Sequence, residues 1–224
     1  MPSPARKTDS TKFDVVLKSG GRSARHQREA EQSQRQQQAS EYAGWRWKNA
    51  RRPNPTHPYL TAKQVRPHGL RQHQDELLVP LYLDCVLVNL QRIGADGGKR
   101  FLRGGRITGC YSLLGSITPG CRLYVCEGWA TGASIHESTG SPVACAMSAS
   151  NLKSVAMAVR AKYGDLIDLV IAGDDDRQTP SNPGRAAAMA AALAAGALVT
   201  FPDWLADAPP SLTDFNDLHC WRVA

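Results

Sequence analysis

The chain has 224 residues, 42% of them hydrophobic and 21% charged, with a net charge of +7. That composition excludes a disordered or fibrous chain and suits one large domain or two small ones with a real core. No stretch approaches the roughly 18 apolar residues of a membrane span, the N-terminus has no signal-peptide apolar core, and six cysteines without one Cys-x-x-Cys pair exclude a disulfide framework. A cytoplasmic protein with no membrane partner is expected.

The charge is uneven. Residues 1–52 hold 12 Lys and Arg against five Asp and Glu, whereas residues 53–224 balance. A basic arm on a neutral body suits a polyanion, because lysine and arginine displace the counterions of phosphate. Residues 1–28 are polar and aperiodic, so disorder, or order induced by nucleic acid, is expected there. From Glu29 to Arg52 a Gln-rich run followed by Tyr42, Trp45 and Trp47 predicts a helix that ends before Pro53. These aromatics are candidates for stacking on bases or for docking the arm on the body.

Residues 53–120 read as a small basic α+β subdomain. A short helix is predicted over 57–66, then strands at Leu77–Leu81 and Val86–Leu90 joined by a tight turn at Asp84-Cys85, then a turn at Ala95–Gly98 and a strand at Lys99–Leu102. This is an antiparallel meander with Arg92, Lys99 and Arg100 near its rim. From 121 to 224 the texture alternates: strand 122–126, helix 129–138, strand 142–146, helix 149–162, strand 167–172, helix 184–195, strand 197–201. Alternation of this kind predicts a parallel sheet flanked by helices.

A parallel sheet carries its chemistry at the carboxyl ends of its strands. Glu127 follows the strand at 122–126, and Asp174-Asp175-Asp176 follow the strand at 167–172. An acid triplet alone is commonly a solvated turn or a helix cap, but two sets of acids at neighbouring strand ends converge on one crevice. Oxygen ligands of this kind select Mg²⁺ or Mn²⁺. Asp214 and Asp217, within Thr213-Asp214-Phe215-Asn216-Asp217-Leu218, fit either an Asx-rich turn or a further ligand.

The Glu-Gly after the first strand and the Asp-x-Asp after the third resemble the signature of the Toprim domain, shared by topoisomerases, primases, OLD-type nucleases and recombination proteins. Asp214-Phe215-Asn216-Asp217-Leu218 is similar to the segment that closes the Toprim modules of plasmid and phage primases. Leu77–Leu81, Leu90–Ile93 and Gly98–Leu102 resemble the basic subdomain that precedes Toprim in DnaG-like primases. The resemblance covers roughly residues 55–220. It implies Mg²⁺ (or Mn²⁺) held by Asp174 and Asp176 with Asp214, proton transfer or metal binding by Glu127, and phosphate or template contacts from Arg92 and Lys99. Arg100, Arg103, Arg51 and Arg52 are further nucleic-acid candidates.

The implied activity is magnesium-dependent synthesis of short RNA primers, with single-stranded DNA and ribonucleoside triphosphates as partners. Two departures stand out: Arg177–Pro183 separate the aspartates from Gly184, where the family often has a glycine soon after, and no paired cysteines provide a zinc ribbon. A replicative helicase or a zinc-ribbon protein is therefore an expected partner, since no P-loop occurs either. The competing readings are a Toprim nuclease, in which the metal activates water, and a non-catalytic single-stranded-DNA-binding accessory protein.

Overall fold

A computed structural model describes residues 10–223, with side chains described from Arg25 onward. Helix α1 spans Ser10–Lys48, so it begins well before Glu29 and covers most of the segment for which disorder was expected. Spaced pairs such as Arg25–Glu29 at 2.8 Å and Arg35–Glu31 at 3.2 Å support its solvated stretch. The basic residues Arg6 and Lys7 lie outside the described residues.

Helix α2 (Pro58–Lys63) and strands β1 (Arg71–His73), β2 (Glu76–Leu83), β3 (Val86–Ile93) and β4 (Lys99–Phe101) follow. They form the expected antiparallel meander, in the order β1-β2-β3-β4. Asp84 and Cys85, at φ 47° and 68°, make the two-residue turn between β2 and β3. Positive φ at both positions matches the right-handed twist of the flanking strands. β1 went unpredicted because Arg71-Gln72-His73 carries no apolar alternation.

Side chains of this first sheet alternate between two covered faces. Leu77, Val79, Leu81 and Ile93 join a core cluster with Trp129, Ala130 and Ala133 of the second unit. Leu78, Leu90 and Leu102 pack instead with Ala43, and with Trp47 beside them, on α1. Trp47 thus docks the helix, while Tyr42 and Trp45 remain exposed.

The second sheet contains β5 (Ser112–Leu114), β6 (Arg122–Cys126), β7 (Val143–Cys145), β8 (Asp168–Ala172) and β9 (Leu198–Thr200), in the order β5-β7-β6-β8-β9. β6, β7, β8 and β9 pair in parallel, as expected, and β5 adds an antiparallel edge from residues upstream of 121. Helices α3 (Trp129–Thr139), α4 (Ala149–Tyr163) and α5 (Pro183–Ala195) flank it, and α6 (Phe215–Arg222) closes the chain. A backbone bridge between Tyr82 and Tyr111 ties the two sheets together, through amide-to-carbonyl bonds of 2.9 and 3.2 Å.

Candidate active site

Glu127 sits at the carboxyl end of β6, between the sheet and the first turn of α4. Its carbonyl accepts the Met147 amide at 2.7 Å, and its carboxylate accepts the Ala149 amide at the start of α4. A helix N-terminus favours a carboxylate. Burial nevertheless raises the Glu127 pKa, with Asp176 and Asp214 adding repulsion, while the Ala149 amide and Lys99 pull it down. Gly128 has ordinary extended backbone, with φ −96° and ψ 154°, and Met147, whose amide meets the Glu127 carbonyl, is left-handed at φ 69°.

The acid triplet at the end of β8 divides its labour. Asp175 is buried and fully engaged: it accepts from Asn182 Nδ2 at 2.7 Å, Arg185 Nε at 3.1 Å and Trp204 Nε1 at 3.2 Å. Burial opposes its charge, but these donors, Arg185 first, hold its pKa below the usual range. Asp174 has no such support, since its buried Oδ1 lacks a hydrogen-bond partner. Burial, then the charges of Asp214, Glu127, Asp176 and Asp217, push its pKa up to about 8. Asp176 accepts the Gly184 amide at 2.8 Å through Oδ2.

That last bond answers the departure seen in the sequence. The excursion over residues 177–183 returns so that Gly184 lies against the aspartates. A Cβ on Gly184 would come within 2.8 Å of Asp176 Oδ2 and 2.9 Å of the Asp174 carbonyl oxygen.

Asp214 completes the acidic cluster from the N-cap of α6. Its Oδ1 accepts the Asp217 amide at 2.8 Å and its Oδ2 accepts Thr131 Oγ1 of α3 at 2.9 Å. Asp217 in turn accepts the Thr213 amide at 3.0 Å, one residue before the cap. Asp214 and Asp217 thus sit in a hydrogen-bonded turn at the start of α6, beside Thr131 of α3.

Among the described residues, no three His, Cys, Asp or Glu side chains close on a single point. The open arrangement fits Mg²⁺, which keeps several waters and takes only one or two carboxylates. An unpartnered buried oxygen on Asp174, whose pKa is raised by burial and by the charges of neighbouring carboxylates, fits a cation site. Asp174 would hold the ion, with Asp176, Asp214 and Glu127 around it.

Lys99 reaches this cluster from the first sheet. Partial enclosure and the charge of Lys63 lower its pKa, while Asp214, Glu127 and Asp174 raise it. Its ammonium also lies 5.8 Å from the centre of the Tyr59 ring. Sequence reasoning missed Lys63 and Tyr59. A lysine in the last turn of a helix is an ordinary dipole partner, and only the docking of α2 on α6 makes it part of the site. That docking rests on Asn216 Nδ2 and Cys220 Sγ donating to the Lys63 carbonyl at 2.7 and 3.4 Å, and Lys63 Nζ stands 3.7 Å from Asp217.

Arg92 lies on the other face of the meander. It pairs directly with Leu78 and Arg100 across the ladder, on the side covered by α1, and its guanidinium meets Glu76 at 3.3 Å. Glu76 also holds Arg46 of α1 at 3.1 Å. Arg100 is exposed beside Arg92, and Arg103 faces α1. Arg51 bridges Gln72 beside β1, at the edge opposite β4, and Arg52 is exposed next to it. Of the basic candidates, Lys99 alone joins the carboxylates.

Residues 122–223 match the Toprim domain family. The chain carries a Toprim domain. The matched span contains Glu127, Asp174, Asp176 and Asp214, and Toprim domains typically bind divalent metal such as Mg²⁺. Two proteins of Escherichia coli, each called DNA primase TraC, are similar to this chain. One is 36% identical over 156 residues, covering 65% of this chain and 15% of the relative, and the other is 35% identical over 156 residues, covering 65% and 11%. The chain thus spans a small fraction of these relatives' length. The fold matches a chain of the bacteriophage T7 assembly in which lagging-strand DNA polymerase interacts with primase domains of two gp4 subunits bound to an RNA/DNA hybrid and dTTP. That match has a TM-score of 0.51 at 17% identity, over 73% of this chain and 85% of the other.

Proposed function

We propose that this chain is the catalytic core of a DNA primase, joining ribonucleotides on single-stranded DNA. The observation that carries the reading is Lys99: a lysine from the antiparallel meander lies over Tyr59 and feels the charges of Asp214, Glu127 and Asp174, so the cleft presents a cation opposite an acidic cluster. A triphosphate needs both, positive charge for its oxygens and a metal bridge to the protein. Similarity to proteins named DNA primase supports the same reading.

Mg²⁺ or Mn²⁺ at Asp174, with Asp176 and Asp214, would neutralise the charge that builds on phosphate oxygens. Glu127, raised in pKa by burial and held by the Ala149 amide, would accept the proton of an attacking 3′-hydroxyl. Lys99 and Lys63 bind and orient the incoming triphosphate. Asp175, through Arg185 and Trp204, fixes the loop on which Asp174 and Asp176 stand. A helicase-type or zinc-ribbon partner in the cytoplasm would assist in template selection.

The test is incorporation of labelled ribonucleotides on single-stranded DNA with Mg²⁺ or Mn²⁺, alone and with such a partner. Short RNA products lost in both Asp174→Ala and Glu127→Ala support the reading. Template cleavage that depends on Glu127 would make the protein a nuclease, and tight salt-sensitive binding without either activity would make it a binding module.

A further inference from the structure

The face of the meander turned away from the carboxylates carries features that the cleft does not use. Tyr42 and Trp45 lie one turn apart on α1 and are 48% and 56% exposed. Their rings stack, with centroids 5.9 Å apart and planes 15° from parallel, and the Arg46 guanidinium lies 6.0 Å from the Tyr42 ring centre. Large aromatics outside the core and already stacked present a ready π-surface.

Two troughs run along α1, the first of which reaches Tyr42. One, of about 480 Å³, lies between Arg35, Gln38 and Tyr42 on the helix and Leu102, Arg103 and Gly104 on the facing loop. The other, of about 490 Å³, lies between Gln32 and Gln36 and the stretch from Gly105 to Thr108, which includes Arg106. Neither is lined by an acidic side chain. Arg35 is paired with Glu31, but the amides and the guanidinium groups of Arg103 and Arg106 suit phosphate and base edges, and an aromatic stack at one trough suits unpaired bases.

Strand β4 connects the two faces. It is an edge of its sheet, and its consecutive residues Lys99 and Arg100 point to opposite sides. Lys99 looks into the cleft, Arg100 stands beside Arg92, and Arg103 follows immediately at the trough. We infer that the Tyr42–Trp45 stack and the Arg103 trough bind a single-stranded polynucleotide, which passes over the β4 edge between α1 and the metal cleft. The path, though not the binding, rests on the primase reading.

The binding is measured on the whole chain in EDTA, so that the metal site contributes nothing, with fluorescein-labelled oligo-dT and oligo-rU followed by anisotropy and intrinsic tryptophan emission read in parallel. Oligonucleotide is expected to quench wild-type emission, and Trp45→Phe to keep affinity while losing most of that quench, because phenylalanine still stacks. Tyr42→Ala combined with Trp45→Ala is expected to weaken binding roughly tenfold or more, and Arg103→Ala to lower the salt slope by about one. Preference for oligo-dT would assign the surface to template, preference for oligo-rU to product.

Both aromatics are exposed, so the double variant folds, which its circular dichroism checks. Wild-type affinity in the double variant, or quenching that survives in Trp45→Phe, would overturn the inference. Primer synthesis alongside such a result would leave the primase reading standing. Loss of binding in the double variant of a protein that makes no primers would uphold the surface and sink the primase reading.

Discussion

Asp176 and Gly184 are joined across an extended loop by a 2.8 Å hydrogen bond, amide to carboxylate. The closeness of that approach makes position 184 intolerant of a side chain: a Cβ there would also meet Asp174 Cβ at 3.0 Å. Gly184→Val is expected to destabilise the protein by about 1–3 kcal/mol and to weaken Mg²⁺ binding, measured by thermal unfolding with and without the metal. A variant shortened within residues 178–181 keeps the Asp176–Gly184 contact and is expected to bind Mg²⁺ more nearly as wild type does.

Asp174 is an acid held well above its ordinary value of 3.8, to about 8. A folded-state pKa above the unfolded one means that the folded protein binds the extra proton, so stability falls as pH rises between those values. In EDTA, Asp174→Asn is therefore expected to be more stable than wild type at pH 8, by about 1–3 kcal/mol, with the gap closing toward pH 4. The figure is below the full displacement because the side chain is only partly enclosed. Adding Mg²⁺ is expected to stabilise wild type and leave the variant unmoved. Equal stability of the two proteins in EDTA across this range would count against the electrostatic account of the site.

Glu137 has the opposite sign. Burial raises its pKa, but the Arg66 amide at 2.8 Å and His68 Nε2 at 2.6 Å outweigh that and hold it below its ordinary value of 4.5. Its contribution is present above the unfolded value and is lost as pH falls through the folded one. Glu137→Gln is expected to cost about 1 kcal/mol near neutral pH, with the deficit shrinking below pH 4.5, as followed by urea midpoints over a pH series.

Lys99 and Arg92 separate activity from stability. Lys99→Ala is expected to reduce primer synthesis about a hundredfold with little change in melting temperature. Arg92→Ala is expected to leave synthesis near wild type and cost about 1 kcal/mol, because Arg92 serves the Glu76–Arg46 contact that docks α1. Arg46→Ala, at a side chain only 8% exposed, is expected to cost more, about 2–3 kcal/mol, and to loosen α1 in hydrogen exchange. Equal loss of synthesis in Lys99→Ala and Arg92→Ala would show that both faces of the meander serve catalysis.

Much of this was readable from residue order alone. Apolar runs of strand length alternating with helical segments specify parallel pairing, so Glu127 and the Asp174–Asp176 triplet had to fall at strand ends on one side of a sheet. Asp84-Cys85 had to be a tight turn because two strands met there. Which of three adjacent aspartates stays unpartnered depended on Asn182, Arg185 and Trp204, brought to Asp175 by a loop whose course has no local code.

The placement of the basic residues needed the tertiary structure for a related reason. In a strand with one wet face, alternation tells which way each side chain points, but β2, Glu-Leu-Leu-Val-Pro-Leu-Tyr-Leu, is apolar on both faces. One face is sealed by the Toprim unit and the other by α1. A shift of one residue along β3 or β4 exchanges those faces, so packing of the distant helix, and nothing in the local sequence, sent Lys99 to the carboxylates and Arg92 to Glu76.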